Sequence, residues 1–88
     1  MTNFYTKHND LIVNDNGVQE VLVAGVSAYA SDGLKRRATE YLDRIAAELT
    51  VAYNAGDMDK AQQLIMAAEA KIDEANEAHA NYGTVSFA

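Results

Sequence analysis

The sequence predicts an α+β fold, in which an N-terminal β-hairpin packs with an antiparallel two-helix hairpin. Three observations predict it. Asn16-Gly17 stands between two apolar runs in DLIVNDNGVQEVLVAG. Residues 34–82 carry apolar residues at helical spacing. Gly56-Asp57 interrupts that spacing once, near its middle. At 88 residues the chain makes one domain, 1–88. It divides into a β-hairpin region at 1–30, a helical hairpin at 31–82, and a C-terminal strand or tail at 83–88.

Asn-Gly is the strongest two-residue hairpin signal, because both turn positions need positive φ. The run that follows it, with Val18, Val21, Leu22 and Val23, is rich in β-branched residues and favours a strand. The rival reading is a helix over 17–30, with Asn16 as its cap and Gln19 at the third position. That reading makes the fold an all-α three-helix bundle.

In the first predicted helix the apolar residues Leu34, Ala38, Tyr41, Leu42, Ile45 and Leu49 fall on one face. Ser31 or Asp32 supplies the cap, and Gly56 ends the helix. Asp57 caps the second helix. Its stripe (Met58, Ala61, Ile65, Ala68, Ile72, Ala75, His79, Tyr82) alternates steps of three and four. Alanines recur every seventh position at Ala61, Ala68 and Ala75, which lets a neighbouring helix approach closely. The terminal TVSFA reads as a short strand that could join the hairpin, or as a tail.

The stretch AYNAGDMDKAQQLIMAAEA resembles the bend between the two helices of a tetratricopeptide repeat, where a tyrosine, Gly-Asp and Lys-Ala recur. The resemblance covers one unit of about 34 residues. Residues 1–33 lack the pattern, and the chain has no room for three repeats beside them. The likeness is to the local bend and not to the repeat family.

The formal net charge is −6, which argues against general nucleic-acid binding through phosphate neutralisation. An acidic surface suits solubility, or mimicry of a nucleic acid toward a basic groove. With no cysteine, disulfides and thiolate ligation are excluded. No apolar run approaches the roughly 20 residues of a membrane span, and the polar MTNFYTKHND does not read as a signal peptide. The expected location is the cytoplasm, with no membrane association.

No catalytic, cofactor or metal site is expected. No GxGxxG, Walker or nucleophile-elbow pattern occurs. His8 and His79 are the only imidazoles. A metal would need them to converge with Asp10 and Glu77.

Lys35, Arg36 and Arg37 are three of the seven cations and stand in a row at a helix start, where they oppose the helix dipole. Either they hold an anion, or they face Asp73, Glu74 and Glu77 across the helical hairpin. The second reading is preferred, with the cluster setting the register of the hairpin. Val51 and Met66 fall off the apolar stripes, and Tyr41 and Tyr53 lie at the core edge, where tyrosines make good anchors. These seven residues form the candidate interaction surface.

The expected function is non-enzymatic: binding of another protein, with self-association as a homodimer through the helical hairpins. Phage or mobile-element accessory factors, inhibitors and virion structural components are the classes such a small acidic chain would suit. The alternatives are an anion-binding module built on Lys35, Arg36 and Arg37, and an acidic nucleic-acid mimic.

Overall fold

A computed structural model describes residues 2–87. Three strands, β1 (Thr2–Lys7), β2 (Asp10–Asp15) and β3 (Val18–Val23), form an antiparallel meander in the order β1-β2-β3. Two helices of 23 residues each follow, α1 (Asp32–Asn54) and α2 (Met58–Ala80). The fold is α+β. Residues 17–30 form no helix, so the three-helix bundle is ruled out.

The turn between β2 and β3 is Asn16-Gly17, with φ of 55° and 89°. The sheet gains a strand that the sequence reading did not include. β1 pairs along its whole length with β2, from Thr2 opposite Asp15 to Lys7 opposite Asp10. Its turn, His8-Asn9, has φ of 54° and 69° and contains no glycine. The contacts around it hold that turn in place. Thr39 of α1 donates to the Asn9 side chain, and the Gly25 amide donates to Asp10. Gly25 passes so close that a Cβ there would lie 2.0 Å from the Asn9 carbonyl oxygen.

Both predicted helix starts are capped. Ser31 accepts from the Leu34 amide and Asp57 from the Lys60 amide. Ala38, Leu42, Leu49, Ala61, Ala68 and Ala75 are buried, and the alanine steps of α2 let the two helices approach. The stripe stops earlier than its spacing suggests. α2 ends at Ala80, and Tyr82, at φ 56°, is 98% exposed.

Of the two readings of the C-terminus, a short strand or a tail, the described residues show the tail. Residues 83–87 run as an irregular strap over the helices. Val85 is buried in the core, Phe87 packs on Tyr41, and the Phe87 carbonyl accepts from Arg44. On α1, Arg44 lies on the side away from Thr39 and Asp43, which bond the sheet. Strap and sheet are thus on opposite faces of the hairpin, and the strap cannot reach a strand edge.

α1 lies against β1 and β2, and α2 lies beneath β3. Thr2 sits near Tyr53, Thr6 bonds Asp43, and Asn9 bonds Thr39. The Asn16-Gly17 tip therefore overlies the turn end of the helical hairpin, and the His8-Asn9 turn overlies its open end. Among the described residues no helix is long and apolar enough to cross a membrane.

Candidate functional site

The strand pleat puts Phe4, Val13, Val18 and Glu20 on the face toward the helices. At the open end this face is sealed, with Leu11 and Val23 buried against the core. Toward the turn end the sheet and α2 separate. The gap is an open groove of about 750 Å³.

Phe4, Leu49 and Tyr53 line its inner part, with the Phe4 and Tyr53 rings edge to face, 5.8 Å between centroids. Met58, Ile65 and Met66 of α2 form one wall, and Val18 and Leu22 of β3 the other. Val18 is 62% exposed and Met66 61%. Among the described residues the charged groups on the groove are Asp15, Glu20 and Glu69, all carboxylates, with no Lys, Arg or His among the lining residues. The groove can thus take up apolar groups and attract a positive charge.

The seven residues singled out in the sequence do not share one surface. Tyr53 and Met66 meet on the groove. Val51, 70% exposed, occupies a shallow hollow of about 390 Å³ with Ala47, Ala55, Glu48 and Lys60. Tyr41 lies under the strap, with the Arg44 guanidinium 5.7 Å from its ring centroid. Burial raises the Tyr41 hydroxyl above its ordinary value, Lys71 and Arg44 pull it back, and Glu48 pushes it up. Lys35, Arg36 and Arg37 lie near the open end, about 20 Å along the helix from Val51 at 1.5 Å per residue.

The preferred pairing of that basic cluster is not seen. Among the described residues the one ion pair joins Lys71 and Glu74, at 3.0 Å within α2. Arg37 bonds the Gly33 carbonyl of its own helix instead, at 3.4 Å. The antiparallel hairpin matches the two clusters in axial level, but the charged ends do not meet. At the interface itself the α2 residues Ala61, Ala68 and Ala75 are buried.

Sequence reasoning missed Val18 and Glu20 as site residues. Their signal was there in part. Once Asn16-Gly17 is a two-residue turn, the residues of β3 alternate between faces, and Glu20 falls on the face meant for the core. Among the described residues no group of three His, Asp or Glu side chains could hold a metal ion, and no polar or charged side chain is buried. No protein-family model, curated protein or solved structure matches the chain, so no relative lends it a function.

Proposed function

We propose that this protein is a non-enzymatic binding domain that grips a segment of another protein in the groove between its sheet and α2. The observation that carries this reading is the groove itself. It pairs a half-open apolar lining with three carboxylates and, among the described residues, no Lys, Arg or His. A well-packed monomer gains nothing from leaving Val18 and Met66 in water, and exposed apolar surface rimmed by polar groups marks interaction sites. The charge selects the occupant: a segment that carries apolar residues and at least one Lys or Arg.

The test is binding of short peptides by fluorescence anisotropy, using apolar-basic sequences beside versions in which Glu replaces Lys. The apolar-basic peptides should bind, the acidic versions should not, and added salt should weaken the complex. Met66→Glu places a charge on the apolar wall. It should weaken binding by about tenfold or more, and unfolding should stay within ~0.5 kcal/mol of wild type. Equal binding of acidic and basic peptides, or full binding by Met66→Glu, would refute this use of the groove.

A further inference from the structure

The groove runs beside a free strand edge. β3 pairs with β2 on one side only. The pair flanking a two-residue turn, here Asp15 and Val18, exchanges both of its backbone hydrogen bonds, and the pairs alternate from there. Val18 and Glu20 therefore direct their N–H and C=O groups at β2. Gln19 and Val21 direct theirs outward, along the free edge.

A strand added there would lie about 4.8 Å beyond β3. It would pass over the flank of α2 that presents Gln62, Met66 and Glu69 to the groove. The same addition at β1 would find no second helix beneath it, because α1 already lies under that side of the sheet. The three strands cover α1 and leave α2 partly uncovered, so the two-layer packing is one strand short on the β3 side.

Charge decides what can fill that place. A second copy pairing β3 with β3 would bring the inward-facing Glu20 of each chain to the shared seam, over a face that already carries Glu69. Inward-facing charges on an edge strand are a device against such self-pairing. A chain with Lys or Arg among its inward side chains meets attraction instead.

We propose that the occupant is an extended segment of another protein that joins β3 as a fourth strand, placing alternate apolar and basic side chains into the groove over α2. This rests on the groove being a protein-binding site and adds how the partner is read. Main-chain pairing with Gln19 and Val21 supplies the docking, and side chains two apart supply the selectivity. One inward apolar side chain lies on Met66, and an inward cation reaches Glu20 and Glu69.

The experiment uses the full chain, labelled with ¹⁵N and methyl-¹³C, and the peptide Thr-Val-Thr-Lys-Thr-Val-Thr-Lys-Thr. Its valines and lysines share one face of a strand. Two further versions carry N-methyl groups, one on every threonine and the other on every valine and lysine. Only one of these two sets of amides can face β3. On strand addition the Met58 and Met66 methyl signals shift, and solvent exchange of the Gln19 and Val21 amides slows by about tenfold or more. One N-methylated peptide loses about tenfold in affinity, and the other stays close to the parent.

Methyl shifts with unchanged exchange at Gln19 and Val21, and equal affinity of the two N-methylated peptides, would overturn strand addition while leaving the groove as a binding site. No methyl shift with any peptide, together with a Glu20→Val variant that dimerises where the wild type does not, would overturn both. Glu20 would then serve only to keep the edge unpaired.

Discussion

At the open end of the helical hairpin the sheet lies directly on the helices. At the turn end it lifts away from α2. The same strands and helices run through both ends, so the difference lies in side chains and connections. The open end has Leu11 and Val23 on the inner face, the close approach of Gly25 to Asn9, and the Ser27 amide bonded to Asn76. The turn end has Val18 and Glu20 on that face, opposite Met58 and Met66. One long fold thus packs its layers closely at one end and leaves a groove between them at the other.

The strongest test of this contrast is a pair of truncations. Leu11→Ala, at a side chain with no exposure, should destabilise by roughly 2–5 kcal/mol. Val18→Thr on the same face of the sheet should change stability by no more than about 0.5 kcal/mol. Denaturant unfolding of both variants measures the ratio. Equal losses would mean that the turn end is as tightly packed as the open end.

Next in size is Gly25→Ala. The new methyl would meet the Asn9 carbonyl, so the loop or the His8-Asn9 turn must move, at about 1–3 kcal/mol. The damage should stay at the open end. Amide shifts should move around Asn9, Asp10 and Thr39, and those of Met66 should stay in place. Shifts that spread to the groove would show that the two ends are not independent.

The helical hairpin was legible in the sequence, and so was the Asn16-Gly17 turn, because each rests on local signals: an apolar period, a capping carboxylate, a glycine with positive φ. β1 was not. Its turn uses His8 and Asn9 at positive φ, and contacts from distant Thr39 and Gly25 stabilise it. The terminal TVSFA has the composition of a strand, yet Val85 and Phe87 find partners on the far face of the helices. For the groove, the sequence marked Met66 as an exposed apolar position and Tyr53 as a core-edge anchor. That they face Val18 and Glu20 depends on how far the sheet lifts, and no residue pattern encodes that distance.

A smaller effect concerns the basic cluster. Arg37→Ala combined with Glu74→Ala should show coupling below about 0.5 kcal/mol, since the two side chains do not pair. A larger value in a double-mutant cycle would restore an electrostatic contribution to the open end.

The smallest is a pH effect under the strap. The folded chain holds the Tyr41 proton more tightly than the unfolded chain does. That contribution is intact below the ordinary tyrosine value of 10.0 and is lost as pH rises through the higher folded value. Tyr41→Phe should therefore flatten part of the alkaline fall in stability, read by thermal unfolding at a series of pH values. An unchanged alkaline profile would place the titrating group elsewhere.

The meander and the helical hairpin each join only elements that are consecutive along the chain. Each pairing β1–β2, β2–β3 and α1–α2 closes a loop of a few residues, so its entropic cost is small. Such local wiring belongs to fast-folding topologies. The long-range contacts are those between the two hairpins, where Thr6 meets Asp43, Asn9 meets Thr39 and the loop after β3 bonds α2 through Ser27 and Asn76. At the turn end Phe4 packs on Tyr53 and joins β1 to α1, while the α2 side stays apart, so the chain can complete its folding with the groove still open there.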